Sequence, residues 1–386
     1  MTHIKTASRL EGISEYYFAA KLREIAEMRA AGKNVINLGI GSPDLPPDPS
    51  VLESLHTSAQ MPTSHGYQSY TGTPALREAW AKWYGTFYQA KLDPATEILP
   101  LIGSKEGIMH IAMTFLEAGD IALVPNPGYP TYRAASMLAG ATVQYYDLSA
   151  ELEWQPDLAA LEAQDLSKVK IMWVNYPHMP TGAPAKSEVF RSLIAFGKKH
   201  NILIVNDNPY SFILNNNPQS ILSQPGAMDV ALELNSLSKS NNMAGWRIGA
   251  VLGNPAHLMA ILRFKSNMDS GQFLPLQHAA IQALNLSKDW YTQLNTTYKE
   301  RQVQAFAILQ AIDCQFDSNQ QGMFVWAKIP DHWTDCYALS DHLLYQANVF
   351  LTPGGIFGSA GERYVRISLC QDIELFKSAL ERIKTL

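Results

Sequence analysis

Cysteine is scarce in this 386-residue chain: Cys314, Cys336 and Cys370 are odd in number and far apart. That excludes a disulfide framework and leaves no paired thiols for zinc, so the three read as buried or inert. The ten histidines show no HExxH spacing and no Cys/His cluster, and each reads as a core or surface residue rather than a metal ligand. Charge is also thin. Only 17% of residues are charged, the net charge is -5, and no run of like charge forms a basic stripe, which argues against a nucleic-acid partner. No stretch approaches the roughly 18 consecutive apolar residues of a membrane span. The opening residues, MTHIKTASRLEGISEYYF, carry no apolar core behind their few charges. Neither a secretory signal nor a transit peptide is read there, and a cytoplasmic location is expected. A small molecule is left as the expected partner.

What the chain does contain is a large apolar fraction, 47%, arranged in a pattern. Between about residues 95 and 255, short runs rich in Val, Ile, Leu and Ala alternate with helix-length segments. The runs are EILPLI, IALVP, ATVQYY, KIMWVN, NILIVN, VALELN and RIGAVLG. Continuous apolar runs of this length predict strands buried on both faces, in a mostly parallel sheet between helices. From about Leu274 to Ile312 the pattern turns helical, with an interruption near Asn285. After it come a strand-like GMFVWAKI, a further helix, a glycine-rich stretch with RYVRISL, and a closing helix. A smaller α+β domain is expected there. The Pro-rich GSPDLPPDPS near residue 45 is the candidate connector.

In open α/β sheets, ligands bind beyond the carboxyl ends of the strands. Five of the runs end in polar, turn-forming clusters: Gly103-Ser104-Lys105, the NPGYP around Tyr129, Asn175 and the turn after it, Asp207-Asn208-Pro209-Tyr210, and Ser236-Leu237-Ser238-Lys239. Each alone has an ordinary reading as a helix cap, a loop lysine or a core tyrosine. Their shared place in the topology favours function. A helix opening on Gly-Ser offers free N–H groups to a phosphate, and Arg247 and the Ser236 hydroxyl add donors. Asp207 could hold a heteroaromatic nitrogen protonated, Tyr129 offers a ring to stack on, and Tyr210 a phenolic donor. Lys239 offers an amine that forms a Schiff base with an aldehyde. A phosphate, a basic ring nitrogen, a phenolic oxygen and an aldehyde together describe pyridoxal 5'-phosphate.

These residues carry a resemblance. SLSKSNNMAGWRIG is similar to the Schiff-base lysine signature of class I/II aminotransferases, with the lysine at Lys239 and the arginine at Arg247. The likeness spans nearly the whole chain, through INLGIGSPDLPPDP, YQSYTGTPALREA, GSKEGI, PNPGYPTY, NDNPY and GERYVRISL. It implies fold type I: a seven-stranded sheet in a large domain over 46–275, an N-terminal segment over 1–45 packing with the small domain, and an interdomain helix and small C-terminal domain over 276–386. It implies a homodimer in which Tyr67 reaches the cofactor phosphate of the neighbouring subunit. It also places Gly41 near the substrate carboxylate, makes Arg366 the carboxylate's arginine, and adds Gly103, Ser104, Lys105, Asn175, Met179 and Ser238 to the cofactor set. Arg366 has independent support. In RYVRISL, Val365, Ile367 and Leu369 alternate with Tyr364, Arg366 and Ser368, so the strand has an apolar and a polar face.

The implied reaction is amino-group transfer between an L-amino acid and a 2-oxo acid. Lys239 holds the cofactor and then acts as general base, Asp207 keeps the ring nitrogen protonated, and Arg366 grips the α-carboxylate. The alternative on the same cofactor is a lyase, such as β-elimination from a sulfur amino acid. A cofactor-binding regulator is disfavoured, because Lys239, Asp207, Arg247 and Arg366 are all present and no DNA-binding segment is added. Similarity is greatest to the branch with diaminopimelate-type and alanine-type aminotransferases.

One position departs from the family. Its turn reads N-P-x-N-P-T-G or Y-P-x-N-P-T-G, and the asparagine before the second proline donates to the cofactor's phenolic oxygen. Here WVNYPHMPTG puts Met179 there. Two readings stand: Asn175, His178 or water supplies the bond instead, or Tyr210 alone holds the oxygen.

Overall fold

The structure is a computed structural model that describes residues 4–13 and 17–386. Seven strands form its central sheet, in the spatial order Ile98–Leu101, Gly249–Gly253, Ala231–Ser236, Leu203–Asp207, Val169–Val174, Ile121–Asn126 and Thr142–Asp147. All run parallel except Gly249–Gly253, which is antiparallel to both of its neighbours. The sheet is therefore α/β and mostly parallel, as the alternating runs predict.

Except for the edge strand Thr142–Asp147, where only Tyr146 is buried and the expected two-sided burial fails because no further strand flanks it, the strands are buried along nearly their whole length because each of their faces is covered. In Val169–Val174, Ile171 and Trp173 belong to the hydrophobic cluster on one side of the sheet, while Met172 and Val174 belong to the cluster on the other. The neighbouring strand repeats this with Val205 and Ile204. Side chains alternate across a strand, so a run without polar residues needs two apolar partners. The helix Ser104–Phe115 lies close on one of these faces. A Cβ on its buried Gly107 would come within 2.5 Å of Leu101 and 2.6 Å of Leu234, so this approach requires glycine.

A third cluster gathers the C-terminal part of the chain. Its sheet has the order Thr352–Pro353, Tyr364–Ser368, Phe324–Lys328, all antiparallel, with Arg366 opposite both Thr352 and Trp326. The N-terminal segment joins it: Ile36–Asn37 pairs in parallel with Val349–Phe350, and Phe18, Ile25 and Leu38 share its core. The helical stretch breaks at Asn285, between Leu274–Leu284 and Lys288–Ala311. Met179 belongs to this third cluster although its turn leaves the central sheet, so the turn spans the two packing units.

Candidate active site

Four of the strands that end in polar clusters are adjacent in the sheet, Ile121–Asn126 through Ala231–Ser236, and their carboxyl ends open into one cavity of about 490 Å³. Lys239, Asp207 and Tyr210 line it together with Tyr129 and Asn175. Ser104, Lys105, Ser236, Ser238 and Arg247 line it near the helix that starts at Ser104, and Gly41, Met179 and Arg366 line it from the other side. Two expected residues are not on its wall. Gly103 sits behind it as the helix N-cap, with φ 80°. Tyr67 is 95% exposed and lines a separate pocket with residues 270–273.

Asp207 closes the strand Leu203–Asp207 and is buried. Its Oδ2 accepts from the Tyr132 hydroxyl at 2.9 Å, while its Oδ1 is buried without a hydrogen-bond partner among the described residues. Burial raises its pKa to about 7; the bond from Tyr132 works against the shift, nearby Glu233 adds to it, and Lys239 opposes it. An unpaired carboxylate oxygen in such a place is costly unless a cationic donor meets it. Tyr132 lies outside the strand-end clusters of the sequence. It lies three positions beyond Tyr129 in PNPGYPTY, and its ring stacks on Trp173 with a centroid distance of 5.4 Å. Helical spacing after Tyr129 was the available signal.

Lys239 follows the next strand, in a short helix capped by the Ser236 side chain. Its amine donates to the Gly41 carbonyl at 2.8 Å. Burial lowers its pKa, Arg366 and Arg247 push the same way, and Cys370 and Asp207 oppose them. A lowered pKa leaves more of the neutral amine, the form that attacks an aldehyde. Beside it, Ser236 Oγ donates to Ser238 Oγ at 2.8 Å, and Arg247 Nη1 reaches Ser238 Oγ at 3.5 Å and the Ala244 carbonyl at 2.8 Å. Arg247 also lies against Gly103, where a Cβ would come within 2.1 Å of its Nη2. Helix start, guanidinium and two hydroxyls thus form an anion cradle that only a glycine at 103 leaves open.

Arg366 is buried rather than facing solvent. Its Nη2 donates to the Gly39 carbonyl at 2.9 Å and its Nη1 to the Met179 sulfur at 3.3 Å. The guanidinium lies 3.9 Å from the Phe324 ring centre and 4.6 Å from that of Phe357. Neither phenylalanine carries a local sequence signal, since both read as ordinary core.

The turn after Val174 is tightly fixed. Asn175 donates its amide to the Asp207 carbonyl and accepts the Met179 N–H at 2.8 Å. His178 bonds Thr181 through Nδ1 at 2.8 Å, is buried, and is not on the cavity wall. Burial lowers its pKa to about 3, so it is neutral. Of the two candidate substitutes for the missing asparagine, His178 is outside the cavity and Asn175 is engaged with backbone.

The chain matches the family model for aminotransferase class I and II over residues 33–383. It is 42% identical to LL-diaminopimelate aminotransferase of Dehalococcoides mccartyi over 98% of each chain, and 39% identical to the enzyme of that name from Aquifex aeolicus, again over 98% of each. Among solved structures, BacF from Bacillus subtilis superposes with a TM-score of 0.95 at 35% identity, covering 100% of this chain and 98% of that one. A probable N-succinyldiaminopimelate aminotransferase from Thermus thermophilus gives 0.88 at 31% identity, over 95% and 99%.

Proposed function

The chain belongs to the class I and II aminotransferases, pyridoxal-phosphate enzymes that move an amino group between an amino acid and a 2-oxo acid, and we propose that the cavity around Lys239 is where it does so. The observation that carries this reading is the convergence on one cavity of a lysine amine, an unpartnered buried carboxylate oxygen, an anion cradle and a buried arginine. Those groups fit the cofactor's aldehyde, ring nitrogen and phosphate, and a substrate carboxylate, one for one.

When bound, pyridoxal phosphate supplies an electron-withdrawing ring that takes up the electron pair left as the α-carbon loses its proton. The residues do the rest. Lys239 would hold the cofactor through its aldehyde, and its amine would take the proton from the substrate's α-carbon. Burial lowers its pKa, which favours the neutral amine that a base must be. Asp207 Oδ1 would accept the N–H of the cofactor's protonated ring nitrogen, a cation that would offset the penalty of burying this carboxylate. Tyr132 orients Asp207 through Oδ2. The N-terminus at Ser104, with Arg247, Ser236 and Ser238, would hold the phosphate, Tyr129 would offer its ring to the cofactor, and Tyr210 would donate to its phenolic oxygen. Arg366 takes the α-carboxylate, and the rings of Phe324 and Phe357 keep water from it, which strengthens the ion pair.

The same reading makes the enzyme a cytoplasmic homodimer, with Tyr67 serving the neighbouring subunit's phosphate; its 95% exposure fits a side chain that faces a partner. For the amino donor we take LL-diaminopimelate first, because relatives that align along their full length carry that name. The β-elimination reading finds no support in the relatives above, none of which is named as a lyase. The test is to incubate the loaded enzyme with LL-diaminopimelate, alanine and other donors, against 2-oxoglutarate and pyruvate. Formation of the acceptor's amino acid supports the proposal, and release of ammonia with no new amino acid would sink it.

A further inference from the structure

We propose that Met179 is a positioning residue for Arg366: its thioether holds one guanidinium N–H in the resting site and gives that N–H up to the carboxylate of the substrate. This rests on the reading of Arg366 as the carboxylate's partner.

The geometry leads there. Met179 is buried and lines the cavity, and its Sδ accepts from Arg366 Nη1 at 3.3 Å. The sulfur is held in place from both sides of the turn. The Met179 N–H donates to Asn175 Oδ1 at 2.8 Å, the Gly182 N–H to the His178 carbonyl at 2.7 Å, and the His178 N–H to the Ala183 carbonyl at 2.8 Å. On its other edge the guanidinium donates to the Gly39 carbonyl at 2.9 Å. The Phe324 ring, 3.9 Å away, confines it to a plane. Arg366 is therefore aimed before any carboxylate arrives.

A thioether suits this task for a physical reason. It is a weak acceptor, so it orients the N–H without competing strongly for it, whereas an ion-paired bond to a carboxylate is roughly twice as strong as a neutral one. Replacing sulfur by carboxylate thus gains nearly the full strength of the new bond. An amide oxygen at the same place would compete more strongly, and an amide NH₂ would confront the guanidinium donor to donor. Asn175, Tyr176 and His178, the other polar side chains of this turn before Pro180, are directed to Asp207 and the turn's backbone, to the Trp154 carbonyl and to Thr181. The sulfur is the turn's contact with the arginine.

The competing view is that Met179 only fills space in the third cluster. Leucine would then serve equally well, because Leu and Met exchange at nearly constant volume. Three measurements on the cofactor-loaded enzyme separate the two: kcat, KM for the amino acid and for the 2-oxo acid, and the Kd of propionate, an unreactive carboxylate, by calorimetry. For Met179→Leu we expect both KM values and the propionate Kd to rise together, roughly fivefold, with kcat changed by less than about twofold. Met179→Ala, which also lacks the acceptor, takes its place if the leucine variant does not load cofactor. For Arg366→Lys the same constants should rise at least roughly a hundredfold. Native constants in Met179→Leu beside weakened ones in Arg366→Lys overturn the role of Met179 and leave that of Arg366 intact. An unchanged propionate Kd in Arg366→Lys overturns the reading of Arg366 itself, and this proposal with it.

Discussion

The amine of Lys239 donates to the main-chain carbonyl of Gly41 at 2.8 Å, and Arg366, on the wall of the same cavity, donates to the carbonyl of Gly39 at 2.9 Å. The two groups assigned to cofactor and substrate thus hold the same short N-terminal segment. Asp44, just beyond it, is pinned by two 2.7 Å bonds from Arg301. The segment is therefore fixed to the cavity from both packing units before any ligand is present.

Lys239→Ala is expected to remove covalent retention of pyridoxal phosphate and to lower turnover at least roughly 10⁴-fold, since it loses both the covalent holder and the base. The check is borohydride reduction followed by peptide mapping. A cofactor-modified lysine elsewhere in an active variant would refute the assignment.

The pH dependence of the cofactor-free protein follows from Asp207. Its pKa is raised from the ordinary 3.8 to about 7, chiefly by burial. Between those values the folded state binds more protons than the unfolded one, so stability is full below about pH 4 and is lost as pH rises toward 7. The loss is about 4 kcal/mol. His178 acts with the opposite sign. Its pKa is lowered to about 3, so its contribution is lost as pH falls below its ordinary 6.5. The contribution of Asp207 is accordingly read as the difference between the native protein and Asp207→Asn, in denaturant melts from pH 4 to 8. That difference should shift against the native protein as pH rises, and a flat difference contradicts the raised pKa.

Tyr67 gives a complementation test of the dimer. Lys239→Ala subunits keep Tyr67, and Tyr67→Ala subunits keep Lys239. If Tyr67 serves the partner's site, mixed dimers regain one complete site. After random exchange of equal amounts, activity should reach roughly a quarter of the native level from two weak parents. Sedimentation of an active monomer, or no gain on mixing, would contradict the arrangement.

Met179→Asn tests the missing donor. An added hydrogen bond to the cofactor's phenolic oxygen would stabilise its anionic form by roughly 1.5–3 kcal/mol, so the bound cofactor's proton should be held less tightly. The visible absorbance change of the loaded enzyme is expected to titrate about one to two pH units lower in the variant. An unshifted titration would mean that residue 179 does not reach that oxygen.

Much of this molecule is legible along the chain. The two-sided burial of a parallel sheet writes itself as mainly apolar runs, because most positions face an apolar neighbour. The end of each run is marked by residues that cannot continue a strand. Since ligands collect at those ends, Lys239, Asp207, Asn175, Tyr129 and Ser104 were findable one strand at a time. Arg366 was findable from its alternation with Val365 and Ile367, though not its burial.

What the sequence does not carry is which of these groups meet. Tyr132 reaches Asp207 only because the strands Ile121–Asn126 and Leu203–Asp207 are separated by a single strand of the sheet, Val169–Val174. Met179 meets Arg366 only because a turn from the central sheet packs into the core of the C-terminal unit. Hydrophobic period and turn chemistry are local and survive in one dimension. Strand order and the docking of one unit on the other are set by contacts between distant segments, so the partners of Asp207 and Arg366, and the contact between Met179 and Arg366, were decided by the tertiary structure alone.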